Sequence, residues 1–137
     1  MADLSVTAAD VNKVSGNVAH GTAGATITQG QSVYRKSTDG EWYLAQSDGT
    51  AEESGYGVDV GISLTAAADG QPITVQTSGE IDPGVAAAIG VLYCVSETVG
   101  GIAPLADITT DSYITILGVG DATNIDLSIQ ASGNQVQ

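Results

Sequence analysis

An all-β fold, a compact antiparallel β-barrel or sandwich built from two similar units of about fifty residues, follows from three observations. The first is a repeat: Ile73-Thr-Val-Gln-Thr-Ser-Gly79 returns as Leu127-Ser-Ile-Gln-Ala-Ser-Gly133. Outward from these anchors Gly30 aligns with Gly90, Tyr34 with Tyr93, Ser37 with Ser96, Gly40 with Gly100, Asp48 with Asp107 and Gly61-Ile62 with Gly118-Val119. The second is period-two spacing of apolar residues, clearest at Val58, Val60, Ile62 and Leu64, which gives a strand one dry face and one wet face. The third is composition. Eighteen glycines accompany only three prolines, against an ordinary glycine usage of about 7%, which marks many tight turns.

Taken in order, residues 1–23 stand outside the repeat and read as an N-terminal arm, with a helical turn from Thr7 to Val14 ended by Gly16 and a strand at Asn17 to His20. Residues 24–137 form a single β domain, with repeat units at about 25–79 and 85–133. In the first unit a strand over Gln31–Ser37 returns as Glu41–Ala45 through Thr38-Asp-Gly40, since Asp-Gly supplies positive φ angles suited to a hairpin. Ser47 to Gly57 is acidic and aperiodic and reads as an exposed loop. Strands follow at 58–64 and 72–77. Glu80 to Val85 bridges the units, and Ala86 to Ile89 is too short for a helix and reads as a strand-like connection. The second unit has strands at 91–95 and 102–105, the latter an edge because Pro104 lacks a ladder donor. Ser112–Val119 and Asn124–Gln130 form the clearest hairpin, and Gly133 to Gln137 reads as a polar tail.

Charge narrows the function. Sixteen acidic residues face only Lys13, Arg35 and Lys36, giving a net −13. Nucleic acid needs a cationic face to release counterions, so direct nucleic-acid binding is disfavoured. An anionic membrane surface is disfavoured on the same ground, and no apolar run reaches the roughly 20 residues of a membrane helix. Met1-Ala-Asp-Leu has neither the basic head nor the apolar stretch of a signal peptide, which implies synthesis in a cytoplasm.

No catalytic, cofactor-binding or metal-binding residue emerges. His20 is the only histidine and has no serine or cysteine partner in any recognisable pattern. Cys94, the only cysteine, lies in the apolar Val91–Val95 and reads as a buried small hydrophobe. One His and one Cys cannot complete a zinc tetrahedron. The acidic clusters Asp48/Glu52/Glu53 and Asp107/Asp111 lack the spacing of a calcium loop and read as solvated loops. The expectation is a protein that is not an enzyme and takes no cofactor.

The stretches Gly21-Thr-Ala-Gly-Ala-Thr-Ile-Thr-Gln-Gly-Gln-Ser-Val-Tyr34, Val60-Gly-Ile62, Gly70-Gln-Pro-Ile-Thr-Val-Gln-Thr-Ser-Gly79, Gly100-Gly-Ile-Ala-Pro104 and Ile116-Leu-Gly-Val119 resemble those of the head decoration, or capsid cement, proteins of tailed bacteriophages. The resemblance spans residues 18–133 and rests on turns and strands, so it carries over no functional residue. It implies a non-enzymatic virion structural protein that binds the major capsid protein and stabilises the outer capsid surface, commonly as a homotrimer. The alternatives are a phage tail or fibre component, or a receptor- or carbohydrate-binding β module. Acidity favours the outside of a head, because packaged DNA repels a −13 chain. The arm, having little to gain from its own domain, is expected to lie on a neighbour or on the capsid, so that deleting residues 2–16 leaves the β domain folded.

Overall fold

The computed structural model describes residues 3–136; Met1, Ala2 and Gln137, the outermost residues of the expected arm and tail, lie outside them. The N-terminal segment is built into both sheets. β1 (Val11–Lys13) and β2 (Val18–Thr22) run antiparallel to β7 (Gly79–Pro83) and β6 (Pro72–Gln76). Val11 lies opposite Pro83, Lys13 opposite Ile81, Val18 opposite Gln76 and Thr22 opposite Pro72. The position numbers of every pair add to one total, so the two stretches form a single ribbon in one register that bends from one sheet into the other. This corrects the reading of residues 1–23 as an arm and of 80–85 as a bridge. The turn expected from Thr7 is a short 3-10 turn at Ala8–Asp10 with no side-chain cap, and the chain is extended by Val11.

The remaining strands are β3 (Ser32–Arg35), β4 (Trp42–Leu44), β5 (Val60–Ser63), β8 (Leu92–Val95), β9 (Ile102–Pro104), β10 (Tyr113–Gly120) and β11 (Ile125–Gln135). They make a five-stranded sheet, β2-β6-β5-β3-β4, and a six-stranded sheet, β1-β7-β11-β10-β8-β9, with antiparallel ladders throughout. Leaving β1 aside, the two sequences of neighbours correspond position for position. The hairpin registers correspond too: Val33 faces Leu44, and Tyr93 faces Pro104, each sixty positions later. The buried faces do not follow that register. Val33 packs with Trp42, whereas Tyr93 packs with Tyr34 in the central core. Aligning Tyr34 with Tyr93 keeps the faces and slips the ladder by one residue, and such a slip exchanges the two faces of a strand.

The central core lies between the sheets and draws Tyr34, Val60 and Ile62 from one and Ile81, Tyr93, Val95, Ile102, Leu117, Ile125 and Leu127 from the other. Leu4 and Val6 pack against it and Val11 is 4% exposed, so these three are used within the domain, whereas Val14 and Val18 stay exposed. The opposite face of the five-stranded sheet is sealed by Trp42, Val33, Ile73 and Val75 under Ile27 and Ala67. The far face of the other sheet holds a smaller cluster of Cys94, Ala103 and Ile108. All four residues of β5 are therefore buried, and the expected wet face is absent.

Three local expectations change. Within Ser47–Gly57 the chain forms a helical turn, α1 (Ala51–Ser54), because Thr50 and Glu53 make a reciprocal capping box and Gly55 closes it with φ +108°. The Asp39-Gly40 hairpin is a four-residue connection in which Gly40 alone has positive φ, and Lys36 N–H donates to the Glu41 carbonyl at 2.9 Å. β11 continues through the expected tail to Gln135.

Candidate interaction surface

The singled-out residues are dispersed. His20 sits on β2, exposed, with Nδ1 3.1 Å from the Thr74 hydroxyl. Cys94 is fully buried, and desolvation pushes its thiol up to about 11, which removes thiolate reactivity. Glu52 accepts from the Ser37 amide and hydroxyl, and Glu53 serves the capping box. Among the described residues no group of three His, Cys, Asp or Glu side chains is placed to hold a metal ion. Glu52 and Glu53 act as local staples.

Two of the three cations share a shallow hollow of about 350 Å³ with Ser37, Gly40, Gly57, Val58 and Asp59. Their donors are aimed inward. Arg35 Nε donates to the Gly40 carbonyl at 3.0 Å and Nη1 lies 3.8 Å from the Asp59 carboxylate. The Lys36 ammonium lies 5.0 Å from the centroid of the Tyr43 ring. Tyr43 donates to Asp39 at 2.6 Å; this bond holds the Asp39 carboxyl below its usual range and pushes the phenol up to about 12. With the Asp59 carboxylate and the Gly40 carbonyl already in place, the hollow is a poor receptor for an anion.

An apolar groove runs along the β8–β9 hairpin. It has two adjoining hollows, about 390 Å³ lined by Gly90, Val91, Leu92, Pro104, Leu105 and Ala106, and about 340 Å³ lined by Leu4, Val85, Ala88, Val91, Tyr93 and Pro104, with Asp3 and Ser5 at its polar end. Ile89, 75% exposed, lies between Ala88 and Gly90 of the lining. The walls are fixed by hydrogen bonds. Tyr93 hydroxyl accepts from the Ala88 amide at 2.9 Å, Gly90 N–H donates to the Gly120 carbonyl at 2.8 Å, and Gly120 N–H donates to the Val91 carbonyl at 2.9 Å. On the other side Leu4 N–H donates to the Ile102 carbonyl, and the Ser96 hydroxyl donates to Asp3, both at 2.8 Å. A side chain on Gly120 would run into the Ala88 carbonyl, so only glycine lets these segments meet.

The groove was missed in the sequence because its residues come from three separated stretches. A signal was present: residues 83–96 carry no charge in a chain of net −13, and an isoleucine stands among alanines and glycines within them. No family model, curated protein or solved structure matches this chain.

Proposed function

We propose that the protein is a non-enzymatic structural component that decorates and stabilises the outer surface of a tailed-phage capsid. The observation that carries this reading is the pre-set apolar groove on a strongly acidic two-sheet domain. A rigid apolar surface with fixed walls loses little conformational freedom on binding a large partner. The sequence resemblance points in the same direction. On this reading the major capsid protein is the partner, and the subunits associate as a trimer that multiplies weak contacts. Neither nucleic acid nor membrane takes part. We further read the domain as two related units closed into a sandwich. The matching strand orders favour that relation, with a one-residue slip between ladder and face.

The test is reconstitution. Heads assembled without this protein, mixed with purified protein and imaged by cryo-electron microscopy, are expected to gain density on their outer surface and to resist heating better. Protein that is protected from protease on intact heads, or that leaves no outer density, overturns the proposal. Density confined to the tail favours the fibre alternative.

A further inference from the structure

We propose that the groove between the β8–β9 hairpin and the N-terminal segment receives an extended apolar segment of a partner protein flanked by Lys or Arg side chains. This deepens the decoration reading by naming the chemistry of the partner's docking segment, and it rests on that reading for the partner's source.

The floor asks for apolar side chains. Val85, Val91, Leu92 and Leu105 are half-buried, Ala88 and Ile89 are exposed, and no charged residue lies between Pro83 and Ser96 or between Thr98 and Ala106. The occupant is held by its side chains and not by adding a strand, because Pro104 has no amide hydrogen and the Ile102 carbonyl already accepts from Leu4. Two joined hollows along one hairpin favour an extended segment that seats two or more apolar residues in succession.

The rim asks for cations. Asp3 is the one charged residue of the lining and closes one end. In the chain segments next to the lining, exposed Asp121 follows Gly120 and half-buried Asp82 precedes the turn into Val85, each also accepting from nearby backbone amides. Lys13 on β1, two ladder positions from the pair that Val11 makes with Pro83, is the cation of the neighbouring strand, while Arg35 and Lys36 line the separate hollow. A second copy seated here would set further carboxylates of a −13 chain against this rim, which disfavours this groove as the contact between copies and leaves trimer contacts to other faces. A basic-flanked segment is instead attracted, and the attraction falls with salt.

The experiment uses the full-length protein and two fluorescein-labelled peptides, Lys-Arg-Val-Leu-Pro-Val-Leu-Lys-Arg and the same core flanked by Glu and Asp, read by anisotropy at low and high salt. The basic peptide is expected to bind at least about tenfold more tightly at low salt, with the gap closing at high salt. Ile89→Ser and Leu105→Ser are each expected to weaken it by about tenfold, the loss of one aliphatic contact, with unchanged circular dichroism for both and an unchanged urea midpoint for Ile89→Ser. Leu105 also packs on Cys94, Ala103 and Ile108, so its midpoint falls while the fold is kept. Equal binding of the two peptides, binding of neither, or binding indifferent to both substitutions overturns the inference. If the substitutions dissociate the oligomer in light scattering and leave peptide binding intact, the groove is a contact between copies and the inference is again wrong. Heads separate the two proposals. Wild-type protein that binds the basic peptide but not the heads sinks the decoration reading alone, whereas variants that occupy heads as fully as wild type sink the docking inference alone.

Discussion

The same four-residue pattern, Gln-x-Ser-Gly, has opposite fates at Gln76–Gly79 and Gln130–Gly133. At the first the chain leaves the five-stranded sheet after β6 and enters the other sheet as β7. Gly79 there faces Gly16: a Cβ on either would lie within 2.6 Å of the other's Cα, and both have positive φ. Gln76, wholly buried, donates through Nε2 to the carbonyls of Ser15, Ser78 and Glu80 at 2.8, 3.0 and 2.8 Å, tying both limbs of the bend together. At the second, β11 runs on to Gln135 beside β10, Gln130 is exposed, and the space over Gly133 is taken by the Tyr56 ring. A corner therefore needs a second glycine on the facing strand and a buried amide to collect the carbonyls, and only the first copy of the pattern has them.

Deleting residues 2–16 tests this most severely. It removes β1 and Gly16, and the expected outcome is a chain with no cooperative urea transition, where an independent arm would leave the transition intact. Gly79→Ala places a Cβ against backbone at φ +84° and is expected to cost about 3 kcal/mol or more. Gly133→Ala, at φ +70° against a side chain able to turn aside, is expected to cost about 1 kcal/mol in the same assay. Equal costs would erase the distinction between the sites. Gln76→Ala removes the donor that the Ser15 and Ser78 carbonyls share, while the Glu80 carbonyl keeps the Val14 and Ser15 amides. It is expected to lose about 2 kcal/mol, with Gln130→Ala within about 0.5 kcal/mol of wild type.

The smallest effect concerns pH. Glu97 is held below its usual pKa by hydrogen bonds from the Ser112 and Thr109 hydroxyls and the Thr109 amide. Its folded pKa lies below its unfolded one, so its contribution is present above the unfolded carboxylate range and fades as pH falls through the folded value. Glu97→Gln is expected to flatten the acid side of a stability-against-pH curve slightly, measured by urea midpoints.

The strand-and-turn character of the chain was legible because alternation and glycine turns are local. Trp42–Leu44, Leu92–Val95 and Ile102–Pro104 fall inside the stretches read as strands. What could not be read was where a strand changes sheet. The Ile73 and Leu127 anchors fall on β6 and β11, but Gly79 opens a new strand and Gly133 lies inside an old one. That outcome depends on Gly16, more than sixty residues away in sequence from Gly79. Val6, Val11, Val14 and Val18 follow no clear amphipathic period, which made residues 1–23 look unattached, since the pattern of β1 and β2 makes sense only opposite residues 72–83. The groove escaped for the same reason, its lining being gathered from residues 4, 85–93 and 104–106.

The ribbon of β1–β2 against β6–β7 also sets an order of events during synthesis. Val11 meets Pro83 and Thr22 meets Pro72, so the first stretch leaves the ribosome with nothing to pair with. At about 5–20 residues per second, roughly 3 to 12 seconds pass before its partner emerges. β7 must then wait for β11, from the end of the chain, to complete its other ladder. Long-range pairing of this kind slows folding, and the waiting strands stay open to wrong partners. The excess of carboxylates has a second use here, since nascent copies on neighbouring ribosomes repel one another while those edges are still bare.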